Sequence, residues 1–175
     1  LPEQLAESVL LCAQSDVGAL TAFLNRDDVA GVVLEPSGAS FGKIPIRPEF
    51  LKVLRHLTAD RGTVLIFDEV VTGFRYAVGG AQEYYGVTPD LAVLGKIVSG
   101  GITGGAVCGR HDLLDLLAFT DDPKRNRYQR VAHRGTFSGN PLVAAAGVAC
   151  LEQLRDGTAI VEANQQAASL RKGMN

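Results

Sequence analysis

Two ionisable residues of this chain stand where a small ligand would meet them. Asp68 follows the apolar, β-branched run Thr63-Val64-Leu65-Ile66-Phe67, and Lys96 follows Leu91-Ala92-Val93-Leu94 after a single glycine. Both runs read as buried strands, and in open parallel sheets ligands collect at the carboxyl ends of strands. A lysine set between Gly95, Ile97 and Val98 is costly to keep charged unless it is paired or its pKa falls. An amine of lowered pKa is what Schiff-base chemistry uses. On composition alone, a surface lysine with its stem on apolar residues and its head in water is the simpler account.

A competing chemistry has to be weighed against this one. Val64-Leu65-Ile66-Phe67-Asp68-Glu69 has the form of a Walker B strand, and Gly38-Ala39-Ser40-Phe41-Gly42-Lys43 that of a phosphate loop. The Walker A loop needs four residues between its glycines and a Ser or Thr after the lysine. Here three residues intervene and Ile44-Pro45 follows, so a nucleotide hydrolase fits poorly. The G-x-G-x-x-G dinucleotide fingerprint is absent from the sequence.

Four segments then narrow the choice. Phe67-Asp68-Glu69-Val70-Val71-Thr72-Gly73-Phe74-Arg75 resembles the DEVxTGFR signature of class III aminotransferases, which use pyridoxal 5′-phosphate (PLP). Tyr85-Gly86-Val87-Thr88-Pro89-Asp90-Leu91 with Leu94-Gly95-Lys96 is similar to that group's YxGVxPDLxxLGK segment. Gly135-Thr136-Phe137-Ser138-Gly139-Asn140-Pro141 resembles its GTFSGNP segment, and Glu35-Pro36 with Gly38 and Gly42 its EPxxGxxG loop. The four occur in the family's order. Within the group, the pattern is most similar to the 2,1-aminomutase branch.

The resemblance implies a role for each matching residue. Lys96 would hold PLP as a Schiff base and then carry the proton between substrate carbon and cofactor. Asp68 would bond the pyridine nitrogen and keep it protonated, so that the ring draws electrons. Val70 would pack on one ring face, and Ser40 would lie near the cofactor's 3′-oxygen, where aminomutases commonly carry Asn. Thr136 would bind the phosphate of the neighbouring subunit, which implies a homodimer with shared active sites. The substrate would be a small amino acid or amino ketone. A non-catalytic α/β module that keeps the fold without cofactor is the alternative.

Other polar residues are expected to be structural. Glu69 and Glu35 read as braces for their loops, Arg75 as the solvent end of a turn, and His56 and His111 as helix-surface residues. His133 and Arg134 lie close enough to Thr136 in sequence to approach a phosphate. Two positions depart from the family pattern: Thr103 replaces a proline and Ser99 a glycine in the lysine loop. The segment Thr120 to Arg130 is longer than in the aminomutases. Family members are more than twice as long as this chain, so the stacking aromatic residue, a phosphate loop and the substrate gate are expected in other residues.

The elements that must position these groups follow from periodicity. Helices are expected over Leu5 to Leu24, after Pro48 with Phe50, Leu51, Leu54 and Leu57 on one face, from His111 to Phe119, and near Ala159 to Leu170. Strands are expected at Val29–Leu34, Thr63–Phe67, Leu91–Leu94 and Ala106–Cys108. Residues between the second and third strands read as turns, and Thr120 to Arg130 as a surface loop. Asn140-Pro141 marks a helix start, with Asn as N-cap and Pro in the first turn. The alanine-rich helix beyond it, through Leu154, predicts close packing. Alternating strands and helices predict an α/β fold, three-layer α/β/α with a mostly parallel sheet. In that fold, the PLP-dependent transferase fold type I, residues 1–138 would belong to the PLP-binding large domain. Residues 139–175 would form helices leading towards a small C-terminal domain.

Bulk properties remove other classes. Hydrophobic residues make up 46% and charged residues 21%, the balance of a globular protein. A formal net charge of −2 gives no field for nucleic acid or anionic lipid. No apolar run approaches the roughly 20 residues that span a bilayer. Leu1-Pro2-Glu3-Gln4 has no signal-peptide character. Cys12, Cys108 and Cys150 form no metal or disulfide pattern and read as three buried thiols in a reducing cytoplasm.

Overall fold

The computed structural model describes residues 6–38 and 42–174. Its centre is a four-stranded sheet built from β1 (Gly31–Leu34), β3 (Val64–Asp68), β4 (Leu91–Gly95) and β5 (Gly105–Gly109), in the spatial order β1-β3-β4-β5. The first two pairings are parallel and the last, β4 with β5, is antiparallel. The expected α/β fold with a mostly parallel sheet is the one observed. The two-residue strand β2 (Ile44–Pro45) lies outside the sheet and bridges back to Gly38.

Strand alternation separates two faces. Leu65 and Phe67 of β3 are fully buried, in a core with Leu20 and Leu24 of α1 (Val17–Leu24) and Phe50, Leu51 and Leu54 of α2 (Pro48–Arg61). The opposite face carries Val33, 65% exposed, and Val107, 41% exposed. Helix α2 has the predicted apolar face. Pro48 begins it, and Gly62 ends it in the left-handed conformation that glycine adopts without penalty.

The expected helix from Leu5 to Leu24 is shorter. Ser15 has φ 72°, and the Asp16 carboxylate accepts from the Ala19 N–H, so helical backbone starts at Val17. The stretch between β3 and β4, expected as turns, contains α3 (Gly80–Tyr85). The segment from His111 is broken into α4 (His111–Leu114) and a 3₁₀ turn at Asp115–Leu117, and the expected surface loop contains α5 (Pro123–Tyr128). The last two helices are α6 (Pro141–Leu154) and α7 (Thr158–Gly173).

The cysteines correct the expectation of buried thiols. Cys12 precedes α1 in irregular, exposed chain, and Cys108 lies on β5, an edge strand exposed along its whole length. Cys150 on α6 is half-buried, and all three are free.

Asp90 fixes the register of β4. It is 6% exposed, and its Oδ2 accepts from the Leu65 N–H at 2.8 Å and from Arg55 at 2.9 Å, while Oδ1 accepts from Arg110 at 3.1 Å. Burial pushes its pKa up, but the Leu65 N–H and the Arg110 and Arg55 guanidiniums outweigh that and hold the carboxyl below its ordinary value. A depressed folded-state pKa adds stability above the unfolded pKa and loses it as pH falls through the folded one. Asp90→Asn is therefore expected to lower stability at pH 7 by about 1–3 kcal/mol. Urea unfolding of variant and wild type should converge as the pH drops below the ordinary carboxylate range.

Candidate active site

Asp68 is the last residue of β3, and its register partner on β4 is Val93. Lys96 begins three residues beyond Val93, roughly 10 Å along the strand direction at about 3.3 Å per residue. A four-carbon lysine stem and one six-membered ring together cover such a gap. The two groups thus emerge from neighbouring parallel strand ends. Phe67 points into the α1–α2 core, so alternation puts Asp68 on the other face, with Val93 beside it.

The Asp68 carboxylate is half-buried and accepts one local bond, from the Val70 N–H to Oδ1 at 3.1 Å. This bond folds the chain back at the strand end and leaves Oδ2 for another donor. Val70 in turn lies over Gly95, where a Cβ would come 3.2 Å from a Val70 methyl. A side chain at position 95 would press on Val70. Asp68 and Val70 are thus brought together beside Gly95, the residue before Lys96.

Lys96 is exposed and opens a 3₁₀ turn, Lys96–Ser99, with φ 52°, a left-handed conformation uncommon outside glycine. Such backbone persists where its surroundings over-determine it, often at functional sites. Ser99, 3% exposed, donates its hydroxyl within the loop, to the carbonyl of Ile102 at 2.7 Å or of Lys96 at 3.0 Å. The departure from glycine at this position thus adds a bond that ties the loop. Neither Lys96 nor Asp68 enters an ion pair among the described residues.

Helix α6 packs directly against this turn. A Cβ at Gly147 would lie 2.5 Å from the Val98 carbonyl, and one at Gly100 would collide with the Ala146 carbonyl. The small residues of α6 let two backbones touch, as its alanine content predicted. Gly-to-Ala changes inside helices normally stabilise by about 0.5–1 kcal/mol. Gly147→Ala is expected to do the reverse, lowering stability by about 1–3 kcal/mol through overpacking. Its unfolding midpoint in urea measures this.

Thr136 does not join the cluster. It lies on an exposed turn in which Gly135 O accepts from the Ser138 N–H and Phe137 O from Asn140. His133 and Arg134 are exposed on the same loop. Asn140 then caps α6, accepting from the Leu142 N–H at 2.9 Å. One helix therefore connects the Thr136 loop to the lysine turn. Ser40 lies outside the described residues.

The remaining polar residues have local partners. The Glu35 carboxylate accepts from the Ser37 N–H and hydroxyl, and Arg75 donates to the Val71 carbonyl at 2.6 Å from an exposed position. His56 faces Asp60 at 3.3 Å and His111 faces Asp115 at 3.0 Å on solvent-exposed helix surfaces. Gly38 pairs with Pro45, and Ile46 N–H donates to the Ser37 carbonyl. Lys43 sits in a turn directly before the two-residue strand Ile44–Pro45, and the next helix after it begins only at Pro48, too far on for Lys43 to open it as a phosphate-loop lysine does. No group of three potential metal ligands occurs among the described residues.

A groove of about 410 Å³ beside Leu94, Cys108 and Phe74 lies on the opposite face from Asp68. The strand-end constellation is a better fit to a pyridine cofactor. It offers an amine without an ion-pair partner, a carboxylate with one oxygen available, and a bare glycine under an apolar side chain.

Known proteins resemble this chain in sequence and in fold. The chain is 43% identical over 176 residues to glutamate-1-semialdehyde 2,1-aminomutase of Desulfotalea psychrophila, covering 99% of this chain and 39% of that protein. The corresponding aminomutase of Methanococcoides burtonii is 40% identical over 177 residues, covering 100% and 40%. The chain thus spans about two-fifths of the length of these relatives. Among solved structures, an ω-transaminase from Sphaerobacter thermophilus superposes with a TM-score of 0.75 at 36% identity, over 87% of this chain and 34% of that one. The ornithine aminotransferase of Toxoplasma gondii, crystallised with partial occupancy of PLP at its active site, gives 0.78 at 33% identity over 94% and 37%. The fold is that of PLP-dependent transaminases. The model of the class-III aminotransferases matches residues 3–175, and with the strand-end lysine and aspartate in place, the chain belongs to that family.

Proposed function

We propose that the protein is a PLP-dependent enzyme of amino-group transfer, an aminotransferase or a 2,1-aminomutase, acting on a small amino acid or amino ketone. The observation that carries this is the delivery of Asp68 and Lys96 from the ends of adjacent parallel strands, with Val70 over Gly95 between them. PLP, when bound, supplies a carbonyl for the substrate amine and a pyridine ring that accepts electrons. Lys96 would hold it through its amine and would carry the proton to and from the substrate carbon. Asp68 would keep the pyridine nitrogen protonated through its free oxygen, and Val70 would hold one ring face.

Thr136 serves the phosphate of the neighbouring subunit in this reading, which makes the protein a homodimer. The exposure of the whole loop from Val131 to Gly139 supports it. Three free thiols suit a reducing cytoplasm. No helix among the described residues is long and apolar enough to cross a membrane. Residues 139–175 lead from the large domain towards a small C-terminal one.

The full-length protein, incubated with PLP and a panel of amino acids and amino ketones, should interconvert amine and carbonyl groups. An amine returned to the same molecule identifies an aminomutase, and a released keto product a transaminase. A panel giving neither rejects amino-group transfer.

A further inference from the structure

The residue after Asp68 is also a carboxylate, and it faces the other way. Glu69 is 1% exposed, on the core face of the sheet. Burying a carboxylate is costly unless its oxygens are well supplied with donors. Here one oxygen accepts from the Ala81 N–H at 2.6 Å and the Thr72 hydroxyl at 3.1 Å. The other accepts from the Gln82 side-chain amide at 3.0 Å and its backbone N–H at 3.3 Å. No cation pairs with it among the described residues.

These donors come from two places. Thr72 belongs to the turn that follows Val70, and Ala81 and Gln82 to the first turn of α3, which lacks a side-chain cap at Gly79. Glu69 caps the Ala81 and Gln82 N–H groups from twelve residues upstream, while Glu83 of the helix itself accepts from the Gly79 N–H. The backbone of Glu69 is held as well. Its N–H donates to Val93 O at 2.9 Å, and its carbonyl accepts from Gly73 at 2.9 Å. Gly80, at φ 75°, leaves room for the carboxylate, since a Cβ there would collide with it. Residues 68 to 82 thus close on one side chain, and that side chain is flanked by the two residues that would hold the cofactor ring.

We propose that Glu69 is a positioning residue: its buried carboxylate, bonded to Thr72, Ala81 and Gln82, sets the Asp68 carboxylate and the Val70 side chain against the ring. The inference rests on the PLP reading above. Glu69 touches neither cofactor nor substrate; it acts through its neighbours. Glu69 points to one face of the sheet and the side chains before and after it to the other. Slack in the Glu69 clamp therefore becomes rotation of the Asp68 carboxylate about the strand end.

The test uses the full-length protein titrated with PLP, read by the visible absorption band and its pH midpoint. Glu69→Gln keeps the volume but sets an amide against N–H donors, and Thr72→Ala removes one donor alone. Both are expected to weaken PLP binding, Glu69→Gln on the order of tenfold, the size of a lost hydrogen bond to a charged group. Both are also expected to shift the pH midpoint of the band, which reports how Asp68 meets the ring. Faster hydrogen exchange at the Ala81 and Gln82 amides of the cofactor-free protein is expected alongside. If Glu69→Gln does not fold, Thr72→Ala decides by the same readouts. Variants that melt earlier yet bind PLP with wild-type affinity and an unmoved midpoint would overturn the proposal and leave the cofactor reading standing. A wild-type protein that develops no band overturns both.

Discussion

Lys96→Ala is expected to abolish the visible absorption band that forms when PLP is added to the full-length protein, and to lower turnover by about 10³–10⁴-fold or more. The size of the effect follows from two functions resting on one amine. The covalent anchor is lost, and so is the group that carries the proton at the substrate carbon. Neither can be taken over locally, because the turn Lys96–Ser99 offers no second amine and Lys43 lies in a turn beside β2. Lys96→Arg is expected to fail as badly, since a guanidinium stays protonated and cannot attack a carbonyl. Folding should survive both changes. Lys96 is exposed, and alanine in place of a left-handed lysine alters strain by no more than a small fraction of the whole. A far-ultraviolet circular dichroism spectrum equal to that of wild type, with the visible band missing, would separate loss of chemistry from loss of structure.

Asp68→Asn is expected to be the next most damaging change, about 10²–10³-fold in turnover at smaller cost to cofactor affinity. An amide of the same shape still accepts the Val70 N–H, so the turn at the end of β3 should hold. What would disappear, on the role proposed for Asp68, is the negative charge that would keep the pyridine nitrogen protonated. A neutral ring withdraws electrons poorly, so the loss falls on the rate of proton removal rather than on binding. Single-turnover kinetics should show that step slowed, with KM little changed. Asp68→Glu is expected to be intermediate, since charge remains but one extra methylene displaces it at a strand end.

The chemistry of this chain was more legible in its sequence than its packing. Lys96 and Asp68 could be placed at strand ends because the runs before them are short and wholly apolar apart from Thr63, and the one before Asp68 is also rich in β-branched residues. Helix α2 and the start of α6 were legible because Pro48, Gly62 and the Asn140-Pro141 pair are local signals whose effect lies within one turn. Helix α3 was not legible, and the reason is specific: the carboxylate that takes its Ala81 and Gln82 N–H groups is Glu69, twelve residues away, and the residue before the helix is a glycine with no side chain to cap it. The overlong first helix has the opposite cause. Periodicity continued through Leu10 and Leu11, but Ser15 in a left-handed conformation and the Asp16 cap override it. The cysteines were misplaced because residue type predicts average burial, whereas Cys108 stands on an edge strand. The contact between Gly147 and Val98 joins distant parts of the chain, and only its permissive feature, small residues along α6, was visible beforehand.

The arrangement of α6 links the two halves of the proposed site. Its first residues follow the Thr136 loop, and its middle rests on the turn that Lys96 opens. A displacement of the helix along its axis would move both together. The overpacked Gly147→Ala protein should therefore show altered cofactor affinity beyond its loss of stability.

The central claim is that one particular amine forms the covalent bond to the cofactor. Borohydride reduction of the PLP-loaded, full-length protein, followed by proteolysis and mass spectrometry, tests it directly. A single phosphopyridoxyl group is expected, carried by Lys96 in the peptide containing Leu94-Gly95-Lys96-Ile97. A phosphopyridoxyl group on Lys43, Lys52, Lys124 or Lys172 instead, or on no lysine at all, would contradict the claim.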